Sequence, residues 1–276
     1  MEIGENKFFI GDINQKKLKN YHLSIELYPN KFQYTILDTI DLKYIFLKKI
    51  SAHSEKELLK ILNKENLIKE NFSSSSIAYD YFPYTIIPQE ICQLGQERKY
   101  LEFIEEDITL TKKDNIEIID SEIVYSLPKS IDDFINKIQP KIIEKHNINI
   151  KIQYILEKYN KSKQRKVFLF YSKKYINILL FDFNKLIFNN YFKIQSKTDI
   201  LYYILYTYDL FKLDTNKHAL HIYGDITNDS EIYLLVRDFI TNLIFGQKNR
   251  KDLFSPQLEK INNHHYNTIF NQIFCV

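Results

Sequence analysis

Glycine is scarce in this sequence. Five occur in 276 residues: Gly4, Gly11, Gly95, Gly224 and Gly246. Loops that cradle phosphate through backbone N–H groups need glycine for close approach of the chain, and so few glycines leave little material for them. The two cysteines, Cys92 and Cys275, are too few for a disulfide framework and point to a reducing compartment. Cys275 has only Val276 after it, which does not fit a prenylation box. Tryptophan is absent, and arginine occurs only at Arg98, Arg165, Arg237 and Arg250. The basic side is therefore almost all lysine, and the formal net charge of +3 is too slight to imply a polyanionic partner. Abundant Ile, Asn, Tyr, Phe and Lys match the coding of an AT-rich genome. Every apolar stretch of membrane length is interrupted by Lys, Asp or Asn, so no membrane span is expected. The opening MEIGENKFFIG lacks a basic region followed by an apolar one, so it does not read as a signal peptide. A cytoplasmic, soluble protein is the expectation.

What is present is a repeated pattern. Lys166 to Lys212 reads as three antiparallel strands running into a helix. Val167–Tyr171, Tyr175–Phe181 and Leu186–Ile194 are β-branched and aromatic runs, broken by Ser172-Lys173-Lys174 and Asp182-Phe183-Asn184. The earlier stretch LSIEL-YPNK-FQYTILD-TID-LKYIFLKKI repeats this, with Pro29 and Asn30 supplying a turn. A gapless offset of 144 residues (167 − 23) places Leu23 on Val167, Asp38 on Asp182 and Ile50 on Ile194. Both copies then start a helix. Ser54 with Glu57 has capping-box spacing, and the same offset puts Thr198 at the second cap, followed by Asp199. The second helix, residues 200–211, is apolar around nearly its whole circumference, which predicts burial, with Leu201, Ile204, Leu205 and Tyr208 in the core.

At 276 residues the chain fits two domains. The polar run NKSKQRK, residues 160–166, sets the expected boundary, giving lobes 1–160 and 161–276. Before the first meander lies a polar leader with a short strand at Phe8–Ile10. Between the meanders, Ser73–Ser76 reads as loop and Ile77–Ile87 as a strand that Pro83 limits. A helix is expected from Pro88, a strand over Glu117–Leu127, a helix after Pro128, a strand at Lys141–Lys145 and a helix from Asn147 to Tyr159. After the second meander come a strand at His218–Tyr223, a helix over Ser230–Phe245 and a last helix over Asn262–Phe274.

Few residues suggest chemistry. Adjacent His264 and His265 would point about 100° apart on a helix and read as surface histidines, not a metal pair. His218 and His221 have opposite strand parity. His146, near a strand end, reads as a hydrogen-bonded structural residue. The lysine runs at 16–20, 161–166 and 248–251 have no interleaved aromatics, so they read as solvated surface, not a nucleic-acid interface.

Strand-strand-strand-helix-strand-helix, present twice, resembles the layout of the actin-like ATPase superfamily, which includes actin, heat-shock chaperones, sugar and acetate kinases, and cell-division and pilus-assembly actin homologues. The stretches LSIELYPNKFQYTILD, FPYTIIPQEI, KVFLFYSKKYINILLF, NKLIFNNYFKIQSKTDILYYILYTYDLFKL and HIYGDI, with Cys275, further resemble a Bacteroidetes family of unknown function. The fold implied is α/β: two duplicated actin-like (ribonuclease H-like) lobes, each a mixed sheet opening with a three-strand antiparallel meander flanked by helices. In nucleotide-binding members, the first hairpin of each lobe carries an Asp and glycines that hold metal and phosphate, and a Gly-Gly turn holds the adenosine. Here Glu26 stands near the Asp place and Tyr28 at the Gly place. The second-lobe turn is Ser172-Lys173-Lys174, without carboxylate or glycine, and the adenosine turn keeps only Gly224, followed by Asp225. These seven residues are the candidate inter-lobe cleft. The resemblance implies a degenerate actin-like protein that acts by binding, as a scaffold or assembly adaptor for a protein partner. No ATP hydrolysis is expected, and at most weak Mg²⁺-dependent ATP binding. The alternative is an active nucleotide-dependent kinase or ATPase, with Glu26 or Asp225 organising metal and Lys173 or Lys174 clamping phosphate.

Overall fold

The computed structural model describes residues 7–162, 164–247, 251–262 and 264–276. Its first strand, β1 (Lys7–Gly11), precedes a meander of β2 (Tyr21–Tyr28), β3 (Lys31–Asp38) and β4 (Lys43–Ser51). Then come α1 (Glu55–Lys64), β5 (Ser74–Tyr79), β6 (Tyr84–Pro88), α2 (Glu97–Glu102), β7 (Leu110–Ile116), β8 (Ser121–Leu127), α3 (Lys129–Ile138), β9 (Ile143–His146) and α4 (Asn147–Tyr159). The second meander is β10 (Lys166–Ser172), β11 (Tyr175–Asp182) and β12 (Lys185–Lys193). After it follow α5 (Lys197–Leu210), β13 (Leu220–Gly224), α6 (Glu231–Arg237), β14 (Leu243–Phe245), α7 (Pro256–Glu259) and α8 (Asn267–Asn271).

The chain forms two compact units. One comprises Met1–Tyr154, Arg250–Lys260 and Thr268–Val276; the other comprises Ile155–Asn249 and Ile261–Asn267. The division falls inside α4, six residues before the polar run at 160–166, and the 250–260 and 268–276 segments belong with the first unit. There Tyr44 donates its hydroxyl to the carbonyl of Phe270 at 2.6 Å, and its ring packs on Phe254 and Phe270.

Each unit is built on a mixed sheet. The strand orders are β1-β4-β3-β2-β5-β9 and β12-β11-β10-β13-β14. Without β1 the two orders coincide: an antiparallel meander, then two strands added parallel to its first strand. A smaller antiparallel sheet, β6-β8-β7, belongs to the first unit. In β2 the apolar Leu23, Ile25 and Leu27 alternate with His22, Ser24 and Glu26, whereas β10 and β11 are near-continuous apolar runs, and the central strands of both meanders are buried on both faces. In the second unit Val167, Leu169, Ile176, Ile178 and Leu180 meet Ile200, Leu201, Ile204 and Tyr208 of α5.

The 144-residue offset holds for the first two strands of the meander and slips in the third. Lys31–Asp38 maps onto Tyr175–Asp182, but Lys43 takes the place of Lys185, an offset of 142 (185 − 43). Four residues, Thr39 to Leu42, join β3 to β4, whereas Phe183 and Asn184 alone join β11 to β12. Both hairpins contain a bulge at the same place, between Ile36/Leu37 and between Leu180/Phe181. The shorter turn carries through to the next helix. The cap of α5 is Ser196, not Thr198: its hydroxyl accepts from Asp199 N–H, and Asp199 accepts from Ser196 N–H. Ser54 caps α1 as expected, accepting from Glu57 N–H.

Other segments differ from expectation. The run Ile77–Ile87 is two strands in different sheets, broken at 80–83, and Ser74–Ser76 already belong to β5. Pro88 ends β6 and is followed by a single 3-10 turn. Glu117–Ile119 is likewise a 3-10 turn, so β8 starts at Ser121. The Ser230–Phe245 segment ends its helix at Arg237 and supplies β14, and the described residues of the last segment form the short α8 and a 3-10 turn. His218 lies before β13. Helix α5 buries one face only: Tyr202, Tyr206 and Leu210 are exposed, and Leu205 is half-buried.

Candidate functional site

In the first unit, β2 carries Glu26 and Tyr28 into the β2–β3 hairpin. Successive strand residues point to opposite faces, so Glu26 and Tyr28, two apart, share one. Glu26 is fully buried. Its carboxyl accepts hydrogen bonds from the side-chain amides of Gln33, its cross-strand neighbour, and of Asn147, the first residue of α4. Burial, and then the nearby Asp80, push this carboxyl above the usual range, against the pull of Lys31 and the hydrogen bonds from Gln33 and Tyr28. Asp80 follows β5 directly; its N–H donates to Leu27 O at 2.8 Å and its carboxylate meets Lys151 of α4 at 3.5 Å, both side chains nearly buried. Lys31 sits 4.0 Å over the Tyr28 ring, so side chains occupy the space around the Pro29–Asn30 turn.

A second buried carboxylate lies on β7. Asp114 accepts from His146 N–H (2.8 Å) and Asn149 Nδ2 (2.8 Å) and pairs with Lys145. His146 is wholly buried, bonds Tyr81 O at 3.1 Å through Nε2, and lies between the rings of Tyr84 and Tyr125. Burial lowers its pKa to about 4, so the ring is neutral at pH 7. His146 is hydrogen-bonded within the fold, as its place near a strand end suggests.

In the second unit, Ser172 is half-buried at the end of β10, and Lys173 and Lys174 form an exposed two-residue turn into β11. Gly224 pairs with Tyr171 across the parallel β10–β13 ladder, which brings Gly224-Asp225 beside this hairpin. Gly224 has φ +97°, and a Cβ there would lie 2.1 Å from the carbonyl oxygen of Tyr171. Its N–H donates to His264 O at 2.8 Å. Asp225 acts on three neighbours: after burial, it raises the pKa of Tyr171 and that of Tyr266, the latter to about 12, and it partly offsets the lowering that burial imposes on His264.

His264 thus corrects the expectation of a surface histidine. It is buried, packs 4.4 Å from the Phe245 ring and bonds Ile226 O at 2.6 Å. Among the described residues, no group of three His, Cys, Asp or Glu side chains could hold a metal ion. No helix among them is long and apolar enough to cross a membrane.

Of the seven candidate residues, the structure brings Glu26 and Tyr28 together in one unit, and Ser172, Lys173, Lys174, Gly224 and Asp225 around the β10–β13 ends of the other. Sequence reasoning missed Gln33, Asp80, Asn147 and Lys151 around Glu26. Asp80 had a signal. Leu27 pairs with Tyr79 as Tyr171 pairs with Gly224, so Asp80 takes the place of Asp225. Asn147 had none, since 121 residues separate it from Glu26.

The family described as Protein of unknown function (DUF3822) matches residues 11–243. The chain belongs to this family. No curated protein matches this DUF3822 chain. Among solved structures, it is similar to a Bacteroides thetaiotaomicron protein with actin-like ATPase fold and unknown function. That match has 18% identity over 96% of this chain and 100% of that one, with a TM-score of 0.82. It is also similar to a chain of the PilM-PilN type IV pilus biogenesis complex, with 8% identity over 91% of this chain and 96% of that one, and a TM-score of 0.61. The DUF3822 chain has the actin-like ATPase fold.

Proposed function

We propose that this protein is a degenerate member of the actin-like superfamily that acts by binding a protein partner, as a scaffold or assembly adaptor, without hydrolysing ATP. The observation that carries the reading is the use already made of the groups a phosphate would need. Both carboxyl oxygens of Glu26 are taken by the amides of Gln33 and Asn147, and Tyr28 and Lys31 fill the turn beside it. In the other unit the turn consists of two lysine-bearing residues, and the absence of a Cβ at Gly224 is required by its contact with Tyr171 O. A side chain at a phosphate-cradling position blocks the backbone approach, and lysine supplies charge without the directed cradle. A binding role is compatible with the fold, which is shared with a chain of a pilus biogenesis complex.

Calorimetry with ATP and Mg²⁺, paired with a phosphate-release assay, tests this. The expected result is no turnover and no binding tighter than the millimolar range, about −4 kcal/mol. Micromolar binding, or turnover abolished by Glu26→Ala or Asp225→Ala, would replace the adaptor with a nucleotide-dependent kinase or ATPase.

A further inference from the structure

Among the described residues, Phe103 and Leu94 are the most exposed large apolar side chains, at 89% and 85%. Both lie in the segment of the first unit that joins β6 to β7, where Ile91 and Ile104 are exposed as well. Single apolar residues on a surface are ordinary, whereas a contiguous exposed patch marks an interaction site.

The segment holds these side chains in place. Leu101 of α2 is fully buried against the small sheet, in a core with Ile87 of β6, Val124 of β8 and Ile108. Tyr100, Phe103 and Ile104, spaced at i, i+3 and i+4, follow one flank of α2 and its cap. The Tyr100 hydroxyl ties the preceding loop to that flank. It donates to Ile91 O at 2.9 Å and accepts from Gln93 N–H at 3.0 Å. Ile91 and Leu94 are thereby carried beside α2, and the apolar surface stands preformed.

The charge of this segment is opposite to that of the chain. Residues 89–107 contain six acidic and two basic residues, a net −4. The chain as a whole is +3, so its remainder is +7 (3 + 4). Glu105, Glu106 and Asp107 follow Ile104 directly, and Glu90 precedes Ile91; all four are exposed. Arg98, one of the two cations, is engaged with Glu102 at 2.7 Å.

We propose, building on the adaptor reading, that this surface docks a basic amphipathic segment of a partner protein. Its large apolar residues cover Phe103, Leu94, Ile91 and Ile104, and an adjoining cluster of Lys and Arg meets Glu105, Glu106 and Asp107. The carboxylates select among occupants. An anionic lipid surface or a nucleic acid carries the same sign and is repelled. A twofold pairing of two copies through this face sets −4 against −4. A basic segment is attracted, and its apolar residues leave water against Phe103 and Leu94.

The test pans a phage-displayed library of random dodecapeptides against the full chain. The enriched sequences are then synthesised and measured by fluorescence anisotropy. They are expected to combine large apolar residues with a run of Lys and Arg, and to bind less tightly as salt rises. Phe103→Ser, and Glu105→Lys combined with Glu106→Lys, are surface changes whose melting temperatures verify folding. Each should loosen the enriched peptides by about tenfold. Ile40→Ser, at an exposed apolar residue on the β3–β4 turn, should leave them unchanged. No enrichment, enrichment of acidic or uncharged peptides, or binding indifferent to both surface variants would overturn the proposal. So would cosedimentation with phosphatidylglycerol vesicles, or a concentration-dependent dimer, that is lost in Phe103→Ser; these would give the face to a membrane or to a second copy. None of the substituted residues belongs to the candidate cleft and the assay holds no nucleotide. A failure here therefore leaves the ATP experiment to judge the adaptor reading by itself.

Discussion

Glu26 in the first sheet and Phe170 in the second hold corresponding places and are handled in opposite ways. Glu26 faces Gln33 across the antiparallel ladder and Ala78 across the parallel one; Phe170 faces Asn177 and Tyr223. The first corner is a buried polar knot closed by Asn147. The second is an aromatic stack, with Phe170 and Tyr223 rings 4.7 Å apart and nearly parallel. One backbone lattice therefore accommodates both. The polar knot makes sharper demands, because each buried donor and acceptor must find its partner, whereas a ring stack tolerates small shifts.

That contrast can be tested most strongly at the knot. Glu26→Ala would strand two buried amide donors at about 1–3 kcal/mol each, so a loss of about 2–6 kcal/mol is expected in urea unfolding. Replacing Asn147 as well, Glu26→Leu with Asn147→Leu, leaves only the Gln33 amide stranded and should recover about half of that loss. A single variant within 1 kcal/mol of the wild type would mean that the knot does not hold this corner.

The helices behind the sheets offer a second comparison. Leu62 of α1 and Ile204 of α5 are both fully buried, so truncation of either to alanine should cost about 2–5 kcal/mol. Leu205→Ala should cost less than half as much as Ile204→Ala, because Leu205 is only half-buried. Equal losses at Leu205 and Ile204 would show that α5 is enclosed on more than one side.

The smallest effect concerns glycine. Gly224→Ala combines a strained φ with a backbone clash and should cost about 2–3 kcal/mol. Gly95→Ala, at φ +80° with open space around it, should cost about 1 kcal/mol. Tyr79 occupies the place of Gly224 in the first sheet with a full side chain, so the comparison isolates what the β10–β13 approach requires. Thermal melts of the two variants would rank them.

Both meanders were legible because their short β-branched and aromatic runs are broken every few residues by turn formers. The slip of the third strand was not. The β11–β12 turn is shorter by two residues, and an even change preserves which side chains face the core, so a gapless alignment kept the right chemistry at the wrong positions. β7 was hidden by its polar sequence, LTKKDNI, in which Asp114 is buried by long-range partners. β14 has three residues, too few to show a period. Of the candidate site, the turn residues were readable from their place in the repeat. The partners of Glu26 were not, because only folding brings α4 beneath β2.

The return of the 250–260 and 268–276 segments to the first unit has a consequence for biosynthesis. Tyr44 packs on Phe254 and Phe270, and Ser76 accepts a hydrogen bond from Gln272 Nε2 at 2.8 Å. A ribosome releases Phe270 and Gln272 only after the entire second unit has been made, and Phe254 only after its Ile155–Asn249 part. The unit translated first therefore finishes packing last, and during elongation its aromatic surface waits uncovered, the state in which a nascent chain is most prone to aggregate.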